Sequence, residues 1–195
     1  MPKIIGFITT ETNGLHTTYK DVYQKNLFCF AKMVTLTYQI GFYKDGEFEL
    51  AKKVRHIIKP RNYFITESEK FHGISQEKAM KKGIEIEDAL EQLKSDFKNV
   101  SVVVSHNLKF HLQTIQAECF RYRVYLDWTR YCLIDTINYF HKMEYPKLKV
   151  LSKEILNKSY QDKKPKYNIN IIKKCFFKLY QMHKDSLKDK KKAYC

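Results

Sequence analysis

The sequence predicts an α/β domain: a mixed sheet of about five strands, the first three antiparallel and the later ones parallel, flanked by helices. Three observations carry this. Alternating β-branched and aromatic stretches flank Lys44-Asp45-Gly46, a turn signal that makes the adjoining strands antiparallel neighbours. Two later apolar runs, Val100–Val104 and Tyr131–Ile134, are too short for helices and read as strands buried on both faces. Segments of helical periodicity separate those runs, as crossovers between parallel strands require.

Taken in order, Lys3–Thr9 is an apolar run ending in Thr and Glu, expected as a central strand, and Asn13-Gly14 marks a loop. Met33–Tyr43 and Glu47–Ile58 form the hairpin. Thr66-x-x-Glu69 has the spacing of a capping box for a short helix, and Ser75 opens a second helix that ends at Gly83. Glu85–Phe97 places Ile86, Ala89, Leu90, Leu93 and Phe97 on one helical stripe. Asn107 is the expected cap of a helix Leu108–Arg123, with Phe110, Leu112, Ile115 and Phe120 as its apolar positions. Thr136–Lys142 is expected as a helical turn, Lys147–Leu156 as a helix after Pro146, and Asn168–His183 as the last helix. The domain is thus expected over residues 1–183, with 184–195 a frayed basic tail.

The chain of 195 residues is 44% hydrophobic and 14% aromatic, enough for one core and unlike a disordered chain. No apolar run approaches the roughly 18–20 residues that cross a bilayer, and the start lacks a signal-peptide pattern. No membrane association is expected, and the location expected is intracellular, cytoplasmic or nuclear, with a virion as a further option. The five cysteines are scattered without a C-x-x-C pair, which argues against a zinc site or a disulfide framework. Cys119, Cys132 and Cys175 lie in apolar runs and are expected as buried thiols. Thirty-six Lys and Arg against 21 Asp and Glu leave a net charge of +15, which points to a polyanion, nucleic acid above all, as partner. A chain this rich in Lys, Asn and Ile also fits an A/T-rich genome, which accounts for part of that charge.

Several segments then carry a resemblance. Phe7-Ile8-Thr9-Thr10-Glu11-Thr12-Asn13-Gly14-Leu15 resembles F-x-D-T-E-T-T-G-L, the first motif of the DEDDh 3′–5′ exonucleases. Phe71-His72-Gly73-Ile74 is similar to that family's F-H-G-I segment, and His106-Asn107-Leu108-Lys109-Phe110-His111 to its second motif, H-N-x-x-F-D. Leu133-Ile134-Asp135-Thr136 resembles its C-x-D-T strand end. Counting back from Cys175, the third motif, H-x-A-x-x-D, falls on Lys163 to Asn168. The resemblance implies a ribonuclease H-like fold of the DnaQ and RNase T kind over nearly the whole chain.

It also implies chemistry that the side chains here do not match. The family hydrolyses phosphodiesters with two divalent metals held by four acidic residues, a His serving as general base. At the matching positions stand Thr9, Glu11, His111 and Asn168, with Lys163 in place of the base; only Glu11 keeps its carboxylate. Mg²⁺ wants several oxygen ligands, a lysine at its ordinary pKa cannot take a proton from water, and Glu11 with His111 gives two ligands where a zinc site needs three or four. No metal cofactor is therefore expected, Mg²⁺ or Mn²⁺ entering only with residual activity. In the family, the residues matching Leu15, Phe71 and His72 line the pocket for the 3′-terminal nucleotide. Those three with Asn107, Lys163, Lys164 and Lys166 are the candidate nucleic-acid-binding residues. The expected function is an exonuclease-like domain without 3′–5′ activity that binds nucleic acid through a basic cleft. The alternatives are a structural or protein-interaction module in a larger assembly, a viral one among the options, with Tyr23–Met33 as docking surface or a second copy as partner, and a weak metal-dependent exonuclease.

Overall fold

Asp45 and Gly46 take positive φ, 53° and 94°, the backbone that lets a two-residue turn follow the twist of its strands. In this computed structural model, which describes residues 3–18, 20–158 and 168–192, they join β2 (Met33–Lys44) to β3 (Glu47–Ile57). β1 (Lys3–Thr12) pairs antiparallel with the other edge of β2. β4 (Val102–Ser105) then lies parallel to β1, and β5 (Cys132–Asp135) parallel to β4. The order is β3-β2-β1-β4-β5, the mixed five-stranded sheet that the sequence predicts.

Helices cover both faces. Ile8, Leu36 and Tyr38 point to one side, against Ala89, Leu90 and Leu93 of α3 (Ile86–Asp96) and Ile115 and Cys119 of α4 (Leu108–Tyr122). Ile5, Phe7 and Val104 point to the other, against Ile169, Ile172 and Phe176 of α6 (Asn168–Lys192). Burial on both faces is why β1 and β4 read as unbroken apolar runs rather than alternating ones. Two short helices, α1 (Glu69–His72) and α2 (Gln76–Lys82), lead into α3, and α5 (Leu148–Leu156) packs on α6. Ser75 caps α2 as expected, its Oγ accepting the Lys78 N–H at 3.1 Å. Among the described residues no helix is long and apolar enough to cross a membrane.

Several local expectations differ from the fold. The capping box at Thr66 does not form: Ser68 is the N-cap of α1, and Thr66 supplies only a backbone oxygen to the Glu69 N–H. Residues 136–142 form a turn and bends rather than a helix, since Phe140 sits in the left-handed region at φ 52° and breaks any right-handed repeat. Cys132 is exposed, because β5 is an edge strand; Cys119 and Cys175 are buried. Phe120 lies on the outer side of α4, 37% exposed. α6 does not stop at His183 but runs on to Lys192, helped by Gln181 donating to Asp185 one turn later at 2.8 Å.

Candidate functional site

β1 ends where α4 and α6 begin, and a cavity of about 830 Å³ opens there. Glu11, Leu15, Phe71, His72, Asn107, His111 and Asn168 all line it. Segments far apart in sequence thus converge on one place. Thr9 is buried in β1, on the same face as Glu11, two residues earlier. Lys163, Lys164 and Lys166 lie outside the described residues. The described lining holds the carboxylates of Glu11 and Glu67 and the imidazoles of His72, His106 and His111, and no Lys or Arg.

Each polar group has a specific environment. Burial raises the Glu11 carboxyl to about 7, against the opposing pull of the Arg55 guanidinium. Arg55 belongs to β3, in register with Thr37, which in turn pairs with Thr9; a strand-to-strand row therefore brings a cation toward the site. Thr10 points to the opposite face of the sheet and meets His111. The Thr10 backbone N–H donates to His111 Nδ1 at 3.0 Å, and the Thr10 hydroxyl lies 2.9 Å from the same nitrogen. A nitrogen that accepts from an amide carries no proton, so the ring is the Nε2–H tautomer. Burial lowers its pKa to about 4; His111 is a neutral ring whose Nδ1 lone pair is already used.

The other two histidines are tied to neighbouring segments of the fold. His72 Nδ1 accepts the Ile74 N–H at 3.1 Å and Nε2 donates to Ser68 Oγ at 3.2 Å, fixing the turn through Gly73. His106 Nδ1 lies 3.0 Å from Thr136 Oγ1; burial lowers its pKa while the nearby Asp135 opposes the shift. Leu15 and Phe71 stand on the rim, 82% and 66% exposed.

Asn107 does not cap α4 with its side chain; it takes a left-handed conformation at φ 62°. The cap comes from β5: Asp135 Oδ1 accepts the Asn107 N–H at 2.9 Å and Oδ2 accepts the Leu108 N–H at 2.7 Å. Asp135 can reach because its strand lies in register with Ser105 of β4, immediately before the helix. The sequence reads Asp135 as a structural residue at a strand end but does not show which backbone it binds; that follows from the parallel pairing of the two apolar runs. Arg55 was missed, since only the register of β3 brings it near Glu11. Among the described residues, no group of three or more His, Cys, Asp or Glu side chains converges as a metal site would.

No protein-family model matches the chain, and no curated protein matches it. Solved structures do. E. coli exonuclease I in complex with a dT13 oligonucleotide superposes with a TM-score of 0.68 over 96% of this chain at 14% identity. The chain has the fold found in exonuclease I. The zinc-bound form of an E. coli exonuclease I–ssDNA complex matches at 0.66, with 13% identity over 97% of this chain, and exonuclease I of Methylocaldum szegediense at 0.67, with 12% over 92%. This chain spans less than half the length of those proteins, 43%, 42% and 40% respectively. The shared fold is ribonuclease H-like: antiparallel strands first, parallel strands after, helices on both faces.

Proposed function

We propose that this chain is an exonuclease-like domain that no longer removes nucleotides from a 3′ end and that binds nucleic acid with the same cavity. The observation that carries the reading is His111. At the position where the resembled motif has an aspartate, an imidazole accepts a backbone N–H and is too buried to be charged. With Thr9 and Asn168 at two further acidic positions, Glu11 is the one carboxylate left of the resembled set. The donors described do not fit a pair of hard dications, which need several anionic oxygens to offset their mutual repulsion. A Glu11 carboxyl raised to about 7 by burial further weakens the remaining ligand near neutral pH, because a protonated carboxyl binds a cation poorly.

Retention of Leu15 and Phe71 at the rim supports binding. Large apolar faces beside a cavity suit unstacked bases, which stack on aromatic side chains with little regard to sequence. The test is an oligonucleotide labelled at its 5′ end, incubated with the protein in Mg²⁺ and in Mn²⁺ and resolved for shortening from the 3′ end. Unchanged length with saturable binding is expected for wild type and for Glu11→Ala alike. Metal-dependent shortening that Glu11→Ala abolishes would overturn the reading and leave a weak exonuclease in its place.

One observation favours a protein-interaction role. Gln24–Cys29 forms a 3₁₀ turn that presents Phe28, 85% exposed, beside Leu15, although Phe30 and Met33 of the same segment are buried in the fold. Crosslinking of wild type against Phe28→Ser checks it; identical products from the two would remove this role.

A further inference from the structure

A second cavity, of about 450 Å³, opens where α6 passes the β2–β3 hairpin and the end of α5. Phe48, Leu156, Lys158, Lys173, Lys174 and Phe177 line it. Among the described residues, three ammonium groups and no carboxylate share this wall. None of the three lysines forms an ion pair among the described residues, whereas Lys52, Lys59, Lys70 and Lys94 elsewhere on the surface do.

Lys173 is held in place rather than free in water. Its Nζ donates to Gln39 Oε1 at 3.2 Å and stands 5.2 Å from the centre of the Phe48 ring. Gln39 is only 1% exposed, and its amide nitrogen is anchored on Asn170 Oδ1 at 2.8 Å, so the ammonium has a fixed partner at one side and an aromatic face at the other. The rings are equally fixed. Phe48 lies across Gly41, where a Cβ would collide with it. Phe177 stacks on Tyr43 at 5.2 Å, with Phe48 a further 5.2 Å from Phe177.

Cations continue from this cavity toward the first. Lys53 stands opposite Gln39 in register and Arg55 opposite Thr37, on the same face of the edge strand β3. Two residues along a strand separate them by about 7 Å. Lys53 lies close enough to Lys173, and Arg55 to Glu11 and His72, for each to act on its neighbour's charge. Lys174, Lys173, Lys53 and Arg55 therefore form a row that ends at the cavity holding Glu11.

The geometry points to a phosphate track for a single-stranded nucleic acid: Lys173 and Lys174 take one backbone phosphate with its base against Phe177 and Phe48, and Lys53 and Arg55 carry the strand on to the Glu11 cavity. The last clause rests on the reading of that cavity as a nucleic-acid site; the Lys173 end does not. Backbone phosphates would supply a counter-charge that these lysines do not find among the described residues, and a base can reach Phe177 only from a strand that is not paired. A duplex, with its bases stacked inside, would use the lysines and leave the rings idle.

Fluorescence anisotropy with dodecamers of oligo(dT) and oligo(U), across a salt series, tests this. Lys173→Gln/Lys174→Gln is expected to weaken dodecamer binding roughly tenfold and to reduce the slope of log affinity against log salt by about 0.7 per lost phosphate contact. Phe177→Leu should weaken binding without changing that slope, because it removes stacking and no charge. Unchanged dodecamer affinity and slope in the lysine variant overturns the track, whatever else binds. Weakened binding there, with Leu15→Ala/Phe71→Ala behaving as wild type, sustains the Lys173 site and removes the Glu11 cavity from the path. Failure of the wild type to bind either oligonucleotide overturns both.

Discussion

Burial acts on Glu11 and His111 with opposite sign, and the two can be separated by pH. Glu11 has its pKa raised from 4.5 to about 7. Between those values the folded chain keeps a proton that the unfolded chain has released, so this group makes stability fall as pH rises. His111 has its pKa lowered from 6.5 to about 4. Between those values the unfolded chain takes up a proton that the folded chain refuses, so this group makes stability rise with pH. Over the shared window, from about 4.5 to 6.5, the two slopes cancel in the wild type. Relative to wild type, Glu11→Gln should therefore gain stability with rising pH, by up to about 1.4 kcal/mol per pH unit, and His111→Gln should lose it at a similar rate. Urea unfolding at several pH values across that window reads both slopes. Parallel curves for the three proteins would mean that neither side chain is as buried in solution as in the fold. Motif position singles out Glu11 and His111 in the sequence. Their electrostatic states are not legible there, because those come from Thr10, Arg55 and the packing around them, which sequence spacing does not show.

At the scale of elements, two carboxylates bind backbone of segments distant in sequence. Asp135 closes the N-terminus of α4 with both oxygens. Asp135→Ala should cost about 1–2 kcal/mol, the usual loss of a side-chain cap. Asp135→Asn, which keeps an acceptor, should recover part of it, as thermal unfolding would show. Glu118, buried on α4, accepts the Met33 N–H at 3.0 Å and pairs with Arg121 at 2.8 Å. Arg121 in turn donates to the Leu27 and Phe30 carbonyls, each at 2.6 Å, and so holds the Gln24–Cys29 turn against the domain. Arg121→Met leaves a buried carboxylate without its counter-ion and should destabilise by about 3–5 kcal/mol. The double variant Glu118→Met/Arg121→Met should be less damaged than Arg121→Met alone, since it removes the stranded charge; equal loss in urea unfolding would show that the backbone anchors, not the charge, matter most. Local signals were readable beforehand. Ser75 and Gly83 bound α2 as their types require, and Asp45-Gly46 fixes the hairpin. Asp135 and Arg121 act across the fold, and nothing within a few residues of either shows it.

At the scale of the whole molecule, the mixed sheet flanked by helices was legible because the hairpin turn and the short apolar runs stand out in sequence. The charge was legible only as a total. A net +15 says that a polyanion is welcome and does not say where, and the structure divides the two possibilities. If attraction is diffuse, removing any pair of surface cations should weaken binding alike. If it follows the row on the α6 side of the sheet, only that row should set the salt dependence. Lys53→Gln/Arg55→Gln removes two cations from the edge strand without touching the core. Lys81→Gln/Lys82→Gln removes two from the last turn of α2, exposed and outside both cavities. The first variant should flatten the slope of log affinity for a single-stranded dodecamer against log salt by about 1.4, two contacts at about 0.7 each. The second should leave the slope within error of wild type, both having lost the same formal charge. Equal flattening in the two would assign the attraction to the molecule's overall field, and the arrangement of Lys53, Arg55 and Lys173 would then carry no directional information for a bound strand.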